Sequence, residues 1–326
     1  TVQPRVRFGA GAVFPDAFTI PAGDSLRING GVFAPPSLQN DGTLILEGAT
    51  TITTAVTTGT GSTIRVRGSG AGGSPTAMFT NPLTNSATLD LFAQDAAYTV
   101  TLATPSLTNT ASGTIATVAG VGGVRVLNAT LINQGTVNIP FDLAITGASA
   151  AHVNSGTITM TAGDLTITQS GTTPSFTNTG TIATNGRTFT VAGGTLDLTG
   201  GVVTGYGGRL VTTGSPTVRF TVPTVQPRVT LSATSTLPDP FVVPAGDSLR
   251  ILGGGFAPPS LTNNGTLILE GAPTINTAVT TGTGSTIRVR GSSAGGNPTA
   301  TFTNPLTNSA TLDLFAQDAG YTVTLV

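Results

Sequence analysis

A ten-residue phrase, "FTNTGTIATN" at 176–185, returns along the chain as "LQNDGTLIL", "LINQGTVNI", "HVNSGTITM" and "LTNNGTLIL". The small residue that precedes threonine in the phrase falls at Gly42, Ser62, Ala87, Gly113, Gly135, Gly156 and Gly180, and again at Gly265, Ser285 and Ala310. A period of roughly 22 residues is too short for a domain and too regular for a loop, so it marks one structural turn of a repeat architecture.

Each phrase runs apolar-x-Asn, small residue, Thr, then apolar-x-apolar, as in Thr157-Ile158-Thr159-Met160. A glycine-containing bend and a second alternating run follow, such as Phe189-Thr190-Val191. Alternation at period two, rich in Thr, Val and Ile and bounded by Gly, Asn and Pro, is the signature of strands. No stretch carries a 3.6-residue apolar stripe. Short strands recurring once per turn can each pair with their counterpart one period away, which makes an all-β parallel β-solenoid. Turns longer than about 18 residues favour a right-handed, three-faced β-helix. The rival, a string of Ig-like sandwiches, gives no reason for one corner phrase per turn.

A second period encloses the first. "PAGDSLRI" occurs at 21 and 244, and "TTGTGSTIRVRGS" at 57 and 280. Residues 1–103 and 224–326 are about 80% identical. The chain therefore reads as one unit over 1–223, of roughly ten turns, and the first part of a second unit over 224–326. It opens and closes inside a repeat with no recognisable polar cap. The expectation is an interior segment of a longer fibre whose partner is itself, end to end or side by side.

The corner asparagines Asn40, Asn85, Asn109, Asn133, Asn154, Asn178, Asn263 and Asn308 are assigned a structural role. A short amide tolerates left-handed φ, bonds to the backbone and, stacked on itself, can form an amide ladder. The glycine two positions on relieves a tight bend. Ile158 and Ile182 each follow the Thr of their phrase and are expected in one internal column.

The "[FL]xNxGTIxx" phrases resemble those of bacterial secreted right-handed β-helix proteins, the autotransporter passengers and filamentous-haemagglutinin-like adhesins. The resemblance is good over 38–200 and 261–326 and looser over 1–37 and 201–260. It implies an extracellular, cell-surface fibre, stalk or adhesin, and it carries over no binding residue, because the matching positions are structural.

Chemistry is sparse. Only 8% of the residues are charged, Cys and Trp are absent, and every one of the 13 basic residues is Arg. A net charge of −1 gives no footprint for nucleic acid or an anionic membrane, and no apolar run is long enough to cross a bilayer. Without Cys or Lys, neither disulfides nor Lys–Asn isopeptide links staple the turns. A single histidine, His152, rules out a multi-histidine metal site, so no metal or cofactor is expected. Asp90 and Asp95, repeated as Asp313 and Asp318, are the best carboxylate pair for glycoside chemistry. Asp90 lies between two inward leucines and is expected on the outer face as a solvated carboxylate. Arg65 and Arg67, with Arg288 and Arg290 in the second unit, share one strand face and form a cationic spot for an anionic partner such as a cell-surface glycan. Arg5 and Arg7 do likewise, though the second copy has Thr230 in place of Arg7.

The function these features favour is structural, with no enzyme activity. The alternative is a carbohydrate-binding or polysaccharide-degrading β-helix. Ice binding by outward threonines is disfavoured, because the outward position reads Ile45, Arg65, Asp90, Ala116, Asn138, Thr159 from turn to turn.

Overall fold

The computed structural model describes residues 5–8, 12–118, 120–317 and 320–326. The chain is a parallel β-solenoid of about 14 turns at roughly 22-residue spacing, with 58% of the described residues in strands and no helix among them. It divides into two compact units, Thr1–Pro174 with Gly180–Ile182, and Ser175–Thr179 with Ala183–Val326.

In the first unit each turn contributes three runs of strand to three stacks. One stack holds Thr63–Gly68, Thr88–Ala93, Thr114–Val118, Thr136–Ile139 and Thr157–Met160, paired in parallel. Its register is that of the phrase: Thr43, Thr63, Thr88, Thr114, Thr136 and Thr157 lie opposite one another in sequence. The next residues, Leu44, Ile64, Leu89, Ile115, Val137 and Ile158, form a column with no solvent exposure. Ile182 is equally buried, and its strand pairs with that of Ile158. A one-residue slip would turn every one of these side chains outward, so apolar burial of ~1.5–3 kcal/mol per side chain holds the register.

A second stack carries the run after the bend, Thr76–Phe79, Val100–Asn109, Arg125–Asn133, Leu143–Ala148 and Leu165–Ser170. The third ends in the corner asparagines. There Asn85 Nδ2 donates to Asn109 Oδ1 at 2.8 Å, Asn109 to Asn133 at 2.7 Å and Asn133 to Asn154 at 2.6 Å. All four are fully buried. None has a positive φ, unlike Asn185, which corrects the expectation of left-handed corners. Asparagine is required here for its inward amide, which meets both the next amide and the corner carbonyls of Ala87, Gly113, Gly135 and Gly156.

The corner glycines have a related reason. A Cβ on Gly156 would stand 2.1 Å from the Gly135 carbonyl oxygen, and one on Gly135 would stand 2.2 Å from that of Thr110. Close stacking of corner on corner excludes any side chain at these two places.

Asn40 and Asn263 stand outside the ladder. Each donates its amide to a backbone carbonyl, of Thr63 and Thr286 respectively. Their partners in the next turn are Thr58 and Thr281, which offer no second amide. Asn178 donates to the Val202 carbonyl at 3.4 Å. Asn308, in the last turn described, is exposed and bonds locally to Ala310.

The second unit shows a change of phase that the short period does not disclose. Within it, the stack that carries Thr188–Ala192, a second run of its phrase, continues through Arg209–Thr213, Arg228–Leu231 and Ser248–Phe256. It then receives Thr266–Ile275, the first run of a later phrase. The exchange happens where the corner phrase is missing from the sequence. Beyond it the first-copy pattern resumes, with Thr286–Gly291 and Thr311–Ala316 on the same stack.

Candidate functional site

The chain's two glutamates occupy equivalent places, Glu47 and Glu270, and both are completely buried. Each belongs to the outer-facing set of its strand, where alternation would expose it. A glycine loop closes over each one instead. In the first copy Ser69 bridges to Gly73, and in the second Ser292 bridges to Gly296. A Cβ on Gly72 would lie 2.9 Å from Glu47 Cβ, and one on Gly295 would lie 2.6 Å from the Gly271 nitrogen. Only glycine lets the loop come this close.

Beneath the loop the carboxylates meet guanidinium groups. Arg67 binds Glu47 Oε1 at 2.7 Å, and Ser69 Oγ donates to the same oxygen at 2.8 Å. Around Glu270 the cluster is larger. Arg290 Nη2 reaches Oε1 at 2.7 Å, Ser292 Oγ donates to Oε1 at 2.8 Å, and Arg228 Nε donates to Oε2 at 2.9 Å. Arg250 Nη2 stands 3.8 Å from Oε2. Burial alone would raise the Glu270 carboxyl, but the bonds from Ser292 and Arg290 and the charges of Arg290 and Arg228 hold it below its ordinary value. Arg250 is pushed down, first by burial and then by the like charge of Arg228.

The four arginines expected to meet an anionic partner are thus engaged inside the chain. Arg65 pairs with Asp90 at 2.6 Å, Arg288 with Asp313 at 2.7 Å, Arg67 with Glu47 and Arg290 with Glu270. Asp90 is only 5% exposed, so it is not the solvated carboxylate the alternation suggested. Arg65 crosses from the adjacent strand, packs over the Phe92 ring and covers it. Asp95 accepts the Gly70 amide at 3.1 Å, well away from a paired-carboxylate role, and Asp318 lies outside the described residues. The side chain of Arg5 likewise lies outside them. Arg7 is exposed.

Two buried polar groups stand apart from this face. His152 is fully buried, with its Nδ1 accepting the Leu131 amide at 3.1 Å. Burial lowers its pKa to about 4. Arg125 points inward, donates to the Gly122 carbonyl at 2.7 Å and lies 4.8 Å from the Phe141 ring centroid. Its place in an alternating run just after the loop "GVGG", whose carbonyls it braces, is the only sequence trace of its burial.

No group of three or more His, Cys, Asp or Glu able to hold a metal occurs among the described residues. A shallow surface groove of about 320 Å³ lies between Met78, Thr104, Pro105 and Asn128 and holds no ionisable side chain. Among the described residues no helix is long and apolar enough to cross a membrane. Compared with known proteins, the chain matches no family model, no curated protein and no solved structure.

Proposed function

We propose that this chain is a structural repeat segment of a very long extracellular bacterial surface fibre, stalk or adhesin, giving a stiff rod. The observation that carries the reading is the corner ladder from Asn85 to Asn154, where each turn is bonded to the next by buried side-chain amides as well as by backbone. Such bonds run along the stacking axis, the direction in which a fibre is pulled. The tandem 223-residue repeat supports a long polymer-like chain, and the resemblance of the corner phrases to secreted β-helix adhesins supports the surface location. Self-association, end to end or lateral, and contact with cell-surface glycans belong to the same reading.

Electron micrographs of native surface material should show fibres with an axial repeat of roughly 50 Å, the rise of about ten turns at ~4.8 Å each. Single-molecule pulling should show stepwise release of whole turns. Surface material without fibres, together with turnover of a polysaccharide by the isolated chain, overturns the reading in favour of an enzyme.

A further inference from the structure

With Arg65, Arg67, Arg288 and Arg290 neutralised internally, uncompensated positive charge gathers elsewhere. On the outer face of the second unit, Arg209 lies opposite Arg228 in register, and the next pairing, Val229 with Ile251, sets Arg228 opposite Arg250. The three arginines therefore occupy one register column on successive strands about 4.8 Å apart. Arg290 joins them from the far side of Glu270. Among the described residues Glu270 is the one carboxylate acting on Arg250, and it is shared among Arg228, Arg250 and Arg290.

We propose that Arg209, Arg228 and Arg250 form a binding site for an oxyanion group: a carboxylate, sulfate or phosphate. Arg209 is exposed and its side chain has no ion pair or hydrogen bond among the described residues. Arg250 Nε is buried without an acceptor. The Tyr206 carbonyl orients the two inner guanidiniums, taking Arg250 Nη1 at 3.1 Å and Arg228 Nη1 at 3.5 Å, and the Tyr206 ring stands 5.9 Å from Arg250 Cζ. Guanidinium forks held this way offer paired N–H donors to a planar or tetrahedral oxyanion, which a lone ammonium group does not. Stacking like charges on adjacent strands is destabilising on its own, and a bound anion removes that repulsion. The site is distinct from the structural role and stands or falls independently of it.

The test is isothermal titration of the whole chain with sodium sulfate against sodium chloride at matched ionic strength. Saturable, one-to-one sulfate binding is expected, weakened roughly tenfold or more by Arg209→Gln. Because Arg209 is exposed, that variant should fold as the parent does. Arg219→Gln, which breaks the separate Arg219–Asp239 pair, should leave binding unchanged. Titration with polygalacturonate separates the sources of the anion. Competition with sulfate points to a polymer-borne group, whereas sulfate binding alone points to a free ion. Absence of saturable binding by either probe, or equal loss in Arg209→Gln and Arg219→Gln, overturns the site.

Discussion

Asn109 Nδ2 donates to Asn133 Oδ1 at 2.7 Å, and Asn133 passes the bond on to Asn154 at 2.6 Å. Replacing Asn133 by Ala strands a buried donor on one side and a buried acceptor on the other. Each such orphan costs about 1–3 kcal/mol, so Asn133→Ala should lose roughly 2–4 kcal/mol in urea unfolding. Asn40 has no amide neighbour in the next turn and leaves its own Oδ1 unpaired. Asn40→Ala should therefore cost about half as much or less. Equal losses at both positions would mean that the ladder adds nothing beyond the corner bond.

Much of this architecture was legible in advance because a solenoid writes its register into the sequence. The Thr column from Thr43 to Thr157 and the buried column from Leu44 to Ile158 follow directly from the spacing of one phrase. The corner asparagines were legible as a set, but their conformation was not, since a period cannot distinguish a left-handed turn from an inward amide. Glu47 and Glu270 were illegible for another reason. Period-two alternation places them outward, and only the fold-back of residues 69–73 and 292–296 covers them. The pairing of Arg65 with Asp90 was hidden in the same way: the two are 25 positions apart and meet only when turn is set upon turn. The clue was the rarity of charge, because in a chain with so few ionisable groups each one can find a partner.

His152 makes stability depend on pH between its two pKa values. Folded, it titrates near 4 because burial disfavours the imidazolium; unfolded, it titrates near 6.5. In that window the unfolded chain holds one more proton, so stability rises with pH and falls on acidification. Lowering the pH from about 6.5 to about 4 should remove about 3 kcal/mol, at ~1.4 kcal/mol per unit. His152→Asn keeps an acceptor for the Leu131 amide and lacks the titration. A variant whose unfolding midpoint falls as steeply over this range as the parent's would assign the slope to other groups.

The loop over Glu270 can be probed through Gly295. An alanine methyl there would press on the Gly271 nitrogen at 2.6 Å and Glu270 Cβ at 2.9 Å, both fixed parts of the sheet. Gly295→Ala should cost about 1–3 kcal/mol, the range for forcing an extra group into a packed site. Gly284, at φ +79 with nothing within 4 Å, offers a comparison in which only backbone strain acts, and Gly284→Ala should cost about 1 kcal/mol. The reverse order in thermal melts would show that the loop lifts freely.

Ile158 and Thr159 are neighbours on one strand with opposite environments, the first fully buried and the second half-buried on the outer face. Ile158→Asp places a carboxylate in the apolar column with no cation beside it, and should cost several kcal/mol. Thr159→Asp stays at the water interface and should change stability by about 0.5 kcal/mol or less. Melting of the two variants separates the facings, and a larger loss at Thr159 would reverse them.

Glu270 tests what holds the outer face together. Three guanidiniums share its carboxylate, so Glu270→Gln leaves them close together with no negative charge among them. Removing one partner from a buried ion cluster typically costs about 3–5 kcal/mol. A double-mutant cycle with Arg290→Met should show strong coupling, because deleting one cation relieves part of the repulsion exposed by the first change. The pH dependence gives a second reading. The carboxyl lies below its ordinary value in the folded chain. Its contribution is therefore complete above about pH 4.3 and is lost as the pH falls through the folded value. That lies below most of the window assigned to His152. Glu270→Gln should flatten the acid limb there and leave the slope between about 4 and 6.5 unchanged. Loss of the higher-pH slope instead would show that His152 and Glu270 titrate as one system, which their separate environments argue against.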